Sequence, residues 1–170
     1  MPVERIVLVG FMGSGKTTVG RAVANRLGWR FLDLDDWIET QAGKSVARIF
    51  AEDGERHFRE LECRGALEAG RLRDHVIAAG GGAFAEPKTR EALSEGAVTV
   101  WLRCDADTLL ARIPADGSRP LARNRETIRG LLDAREPSYR MADRIVDATG
   151  GPAVVAERVV AAVLPDRARP

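Results

Sequence analysis

A chain of 170 residues is the length of one domain built on one hydrophobic core, which leaves no room for two catalytic domains. Hydrophobic residues make up 45% and charged residues 30%, and 26 Lys and Arg stand against 25 Asp and Glu, a balance that argues against a nucleic-acid binder. No apolar run reaches the ~20 residues that cross a bilayer, the first residues lack the pattern of a secretory signal, and Cys63 and Cys104 show neither metal nor disulfide spacing, so a cytoplasmic protein with buried free thiols is expected.

The first element is Ile6-Val7-Leu8-Val9, short, wholly apolar and ending at Gly10, as a strand covered on both faces of a parallel sheet must be. Gly10-Phe-Met-Gly-Ser-Gly-Lys-Thr17 follows and fits G-x-x-x-x-G-K-[ST] between a buried strand and a helix, where a phosphate-binding loop has to stand. Gly10, Gly13 and Gly15 let the backbone turn so that successive N–H groups and the helix N-terminus face phosphate oxygens. Lys16 can reach the outer phosphates, and the Thr17 hydroxyl can ligate Mg²⁺. Gly13, Ser14, Gly15, Lys16, Thr17 and Thr18 are therefore the candidate ATP contacts. Val19, Ala22, Val23 and Leu27 then recur at helical spacing, with Gly28 as C-terminal cap.

Phe31-Leu32 begins a second strand. Reading Asp33-Leu34-Asp35 as its end sends both carboxylates to one face, where one would help hold Mg²⁺ through its waters and the other would meet an acceptor hydroxyl. The alternative is an exposed acidic strand end that caps the following helix. Helices are expected over Ser45–Ala51 and Glu55–Ala69. Arg59 and Glu62 share a face of the latter, a spacing that by itself describes a surface ion pair, while Phe58 and Leu61 face the core.

The third strand, Val76–Ala79, runs into Gly80-Gly81-Gly82, where a ligand can approach the backbone closely or the chain simply flexes. A helix is expected over Lys88–Ser94, a fourth strand over Val98–Leu102 and a helix over Thr108–Ile113. Pro114 to Arg125 carries three arginines, two prolines and a glycine without periodicity and is read as a surface loop, a mobile lid in preference to a structural linker. Helices over Thr127–Tyr139 and Pro152–Leu164 flank a last strand at Ile145-Val146, and 165–170 is read as a frayed tail. Strands alternating with helices give a parallel α/β sheet. Ligands of such sheets bind beyond the carboxyl ends of the strands, where the phosphate loop, the two aspartates and the glycine triplet all fall.

Six spaced segments, GFMGSGKTTVGR, DLDDWIE, GERHFRELE, AAGGGAF, SRPL and AREPSYR, occur in the order and approximate spacing of the shikimate kinase family, which the chain resembles over nearly its full length. The resemblance implies a single-domain P-loop kinase over 1–170. It would have a five-stranded parallel sheet of order 2-3-1-4-5, flanked by helices, with a lid at about 113–125 and a shikimate-binding helical region at about 35–62. It implies transfer of the γ-phosphoryl group of ATP to the 3-hydroxyl of shikimate, a step toward chorismate and the aromatic amino acids, with Mg²⁺ as cofactor.

Carried over by motif, Asp35, Arg59, Gly80, Gly81, Gly82 and Arg135 would contact shikimate, and Glu62 would orient Arg59. Thr17 and Asp33 would serve the metal, Arg119 would close over the phosphates, and Arg112 would lie against adenine. Lys16, Asp35 and Arg119 are the expected catalytic residues. Two arginines suit a carboxylate, and an aspartate suits ring hydroxyls. Without that context Arg119 and Arg135 read equally well as solvated charges. After Arg119-Pro120-Leu121 the residues Ala122-Arg123 depart from the further apolar residue often found, and Trp37 is bulky for its place. A gluconate kinase and a regulatory nucleotide-binding module are the competing readings. The expected partners are small molecules, with no nucleic acid and no membrane, and a monomer is the default state.

Overall fold

Five parallel strands form one sheet in the computed structural model, which describes residues 2–114 and 124–164. In chain order they are β1 (Arg5–Val9), β2 (Arg30–Asp33), β3 (His75–Ala78), β4 (Val98–Arg103) and β5 (Arg144–Asp147), arranged across the sheet as β2-β3-β1-β4-β5. That is the expected order. The connecting helices are α1 (Lys16–Leu27), α2 (Leu34–Ala42), α3 (Val46–Glu52), α4 (Gly54–Ala69), α5 (Pro87–Ser94), α6 (Ala106–Arg112), α7 (Arg125–Tyr139) and α8 (Pro152–Val163).

β1 lies at the centre, paired with β3 on one side and β4 on the other, so all of Ile6 to Val9 is withdrawn from water. Its period of two divides the core. Ile6 and Leu8 pack with Val19 and Val23 of α1 and Val155 and Val159 of α8. Val7 and Val9 pack with Ala66 of α4, Leu93 of α5 and Tyr139 of α7. Burying each such aliphatic side chain stabilises the fold by roughly 1.5–3 kcal/mol. Ile38, Ile49, Phe58 and Leu61 form a separate small core that ties α2, α3 and the first half of α4 together beside the sheet.

Caps set several boundaries that apolar spacing left open. The Asp105 carboxylate accepts from Thr108 N at 2.8 Å and starts α6 earlier than expected, and Asn124 accepts from Thr127 N at 2.8 Å and makes Arg125 the first residue of α7. The main correction lies at Asp33-Leu34-Asp35. β2 ends at Asp33, which is the N-cap of α2, and its carboxylate accepts from Asp35 N at 2.9 Å. Strand alternation therefore does not align the two carboxylates; the capping turn does.

Of the expected lid, residues 115–123 lie outside the described residues, and Arg119 and the tail 165–170 with them. Cys63 and Cys104 are free, as expected, but half-buried rather than buried. No helix among the described residues is long and apolar enough to cross a membrane.

Candidate active site

β1 delivers the chain into a loop that only glycine can follow. Gly10, Gly13 and Gly15 have φ of +146°, +81° and +94°, and a methyl group on Gly10 would lie 2.9 Å from the Leu102 carbonyl oxygen of β4. Gly15 is the N-cap of α1, so the helix begins with Lys16 and its first N–H groups open onto the loop. Lys16 Nζ donates to the carbonyls of Gly10 at 2.7 Å and Phe11 at 2.9 Å. Ser14 Oγ is buried within the loop without a hydrogen-bond partner among the described residues. A cradle of backbone donors with a lysine at its edge suits a polyphosphate.

A cleft of about 590 Å³ extends from this loop across the carboxyl ends of β1, β2 and β3, past Thr17, Asp33, Asp35 and Gly80. The Thr17 hydroxyl donates to Asp33 Oδ2 at 2.6 Å, which leaves Asp33 with one oxygen capping α2 and the other against the phosphate loop. Asp36 and Glu39 of α2 also line the cleft. Burial and then the neighbouring carboxylates of Asp33 and Glu39 push the Asp36 carboxyl above its ordinary value. Arg112 lines the cleft from α6, and its guanidinium approaches the Gly13 carbonyl at 3.4 Å, a long contact.

The glycine triplet after β3 is the hub of the other half. A methyl group on Gly80 would lie 2.8 Å from Glu62 Oε2 and 3.1 Å from Asp35 Oδ1. One on Gly81 would lie 3.2 Å from an Arg135 nitrogen, and one on Gly82 would lie 2.6 Å from both terminal nitrogens of Arg59. The four charged side chains that the sequence singled out on α2, α4 and α7 thus converge on three residues that have no side chains to obstruct them.

Arg59 donates to Glu62 Oε1 at 2.7 Å, but this is no surface pair, because Glu62 is 1% exposed. Glu62 Oε2 has no hydrogen-bond partner among the described residues. Burial raises the Glu62 carboxyl above its ordinary value despite the pull of Arg59, and Asp35 adds to the rise. For Arg59, burial opposes the charge, yet Glu62 and Glu55 hold its pKa above the ordinary value. Arg135 is also buried, at 6% exposed, with its guanidinium 5.7 Å from the centre of the Phe11 ring in the phosphate loop. The solvated-charge alternative for Arg135 is overturned.

Two contributors went unread in the sequence. Phe11, an x of the loop motif, carries the ring that Arg135 covers. Tyr139, fully buried, donates its hydroxyl to the Gly81 carbonyl. Its signal was present: it stands four residues after Arg135, hence on the same helical face.

The family model described as shikimate kinase matches residues 12–164. A shikimate kinase of Moorella thermoacetica is 46% identical over 157 residues, covering 91% of each chain. The structure of shikimate kinase from Acinetobacter baumannii in complex with shikimate superposes with a TM-score of 0.93 at 35% identity, covering 96% of this chain and 94% of that one. A gluconokinase from Sinorhizobium meliloti aligns with a TM-score of 0.60 at 20% identity over 96% and 93% of the two chains, which is likeness of fold alone.

Proposed function

The chain belongs to the shikimate kinase family, and from that premise we propose how its residues divide the transfer of the ATP γ-phosphoryl group to the 3-hydroxyl of shikimate, giving shikimate 3-phosphate and ADP. The observation that carries the division is the convergence of Asp35, Glu62, Arg59 and Arg135 on Gly80 to Gly82, beside the phosphate loop.

The loop from Gly13 to Thr18 takes the triphosphate, with its N–H groups on the phosphate oxygens and Lys16 leaving the loop carbonyls for the outer phosphates. Arg112 flanks the adenine. Arg59 and Arg135 hold the shikimate carboxylate through forked, charge-assisted hydrogen bonds, and Glu62 fixes the angle of Arg59. The glycine triplet lets the acceptor ring lie against backbone. Asp35 then aligns the 3-hydroxyl and accepts its proton as the oxygen attacks the γ-phosphorus in line and ADP departs. Most of the acceleration comes from this positioning and from charge stabilisation, since phosphoryl transfer asks little covalent chemistry of the protein. Arg119 is assigned from its motif to the phosphates.

Mg²⁺ fits the donors available. Thr17 would bind it directly and Asp33 through water. Among the described residues no three His, Cys, Asp or Glu side chains form a cage, which suits an ion that keeps waters and phosphate ligands. Bound there, it neutralises charge on the β- and γ-phosphates. A monomer acting in the cytoplasm completes the reading.

Arg59→Lys and Arg135→Lys test the division. Each should raise the KM for shikimate while leaving that for ATP within about twofold, because a carboxylate held alike in ground and transition states contributes uniform binding. Loss of ATP affinity instead would reverse the assignment.

A further inference from the structure

Three consecutive glycines give a backbone the greatest freedom it can have, so something must select one conformation if the triplet is to serve as a binding surface. The turn that follows takes two of the three carbonyls: Ala83 N donates to Gly80 O at 3.1 Å and Ala85 N to Gly82 O at 3.2 Å. The third carbonyl, that of Gly81, accepts from the Tyr139 hydroxyl, whose ring is fully buried and lies 5.9 Å from that of Trp101 in β4. A peptide is planar and trans, so fixing the Gly81 carbonyl also fixes the direction of the Gly82 N–H. Gly81 is wedged between the two halves of the site, with the position of its absent Cβ 3.2 Å from an Arg135 nitrogen and 3.5 Å from Met12 N of the phosphate loop. Burial pushes the Tyr139 hydroxyl up to about 12, so it remains a donor throughout the working pH range, and Arg135 works against that rise by charge and by a side-chain hydrogen bond.

We propose that Tyr139 is a positioning residue for the acceptor: its hydroxyl pegs the Gly81 carbonyl and thereby sets the glycine loop against Arg135, one turn earlier on the same helix. This rests on the reading of Arg135 and the triplet as acceptor contacts and adds the group that holds them in register. Tyr139 itself touches no reacting atom.

The test is steady-state kinetics on Tyr139→Phe, Arg135→Lys, the double variant and Asp143→Asn, each with its Tm. Asp143 accepts from Thr99 N and Thr99 Oγ1 at 2.8 Å and anchors the chain just beyond α7, so its substitution loosens the same region without touching the cleft. Tyr139→Phe keeps the ring and is expected to raise the acceptor KM about tenfold, the size of one lost buried hydrogen bond, with the KM for ATP unchanged. The double variant should lose less than the product of the two single losses, because both act on one carboxylate. Asp143→Asn should lower Tm and leave the acceptor KM as it was. Wild-type acceptor KM in Tyr139→Phe overturns the proposal while leaving the site reading intact, provided Arg135→Lys still raises it. Wild-type acceptor KM in Arg135→Lys overturns both. An equal rise in Asp143→Asn, or a parallel rise in the KM for ATP in Tyr139→Phe, reduces Tyr139 to packing and also overturns it.

Discussion

Asp35 and Glu62 lie within reach of the same glycine, and Glu62 is held by Arg59 at 2.7 Å. Asp35→Asn keeps the shape of the side chain and removes its basicity, so kcat should fall by roughly 10²- to 10⁴-fold with the acceptor KM little changed; wild-type kcat in a folded variant would remove Asp35 from the proton transfer. Glu62 predicts a pH dependence. Above its raised pKa it is anionic and grips Arg59; as the pH falls through that pKa it takes up a proton and the grip loosens. The KM for shikimate should therefore climb on the acid side, starting above the ordinary glutamate range. In Glu62→Gln it should be high and flat over the same interval, and an acid limb that survives in that variant would belong to another group. Sequence spacing placed Arg59 and Glu62 side by side but could not say that their face is buried, since burial depends on how α4 meets the sheet.

At the level of elements, the phosphate loop was legible because its chemistry is local: the glycines, lysine and threonine needed for the turn are contiguous. α2 was not, because Asp33-Leu34-Asp35 satisfies strand alternation as well as a helix start. The signal that resolves it is Leu34, Trp37 and Ile38 at helical spacing after a capping aspartate. The pegged glycine loop was legible only in part: spacing puts Tyr139 on the helical face of Arg135, but its contact with Gly81 joins elements far apart in the chain. Gly82 offers a direct test of the convergence. Its φ of −97° and ψ of −7° suit any residue, so Gly82→Ala adds no backbone strain, but its methyl group would meet Arg59 at 2.6 Å. The KM for shikimate should rise on the order of 10- to 100-fold through misplacement of that guanidinium, with Tm and the KM for ATP retained. A wild-type acceptor KM would mean that Arg59 does not bind where it rests in the free protein.

Across the whole molecule, the alternation of apolar runs fixed a parallel sheet, and the order β2-β3-β1-β4-β5 puts the three strands that feed the site next to one another. The phosphate loop and the glycine triplet leave adjacent strands, β1 and β3, and Asp33 and Asp35 follow at the end of β2, so all of them gather at one carboxyl edge of the sheet. The gluconokinase structure shares this fold, and at 20% identity the likeness is of fold alone. The proposed division of roles assigns the choice of acceptor to the charges around the glycine triplet, and the most direct measurement is ADP release by the purified chain with ATP and Mg²⁺, with shikimate, gluconate or no acceptor, with the product followed by phosphorus NMR. Release should depend on shikimate and match one new phosphomonoester mole for mole, with gluconate at background. Equal release with gluconate, or release without any acceptor, would contradict the account.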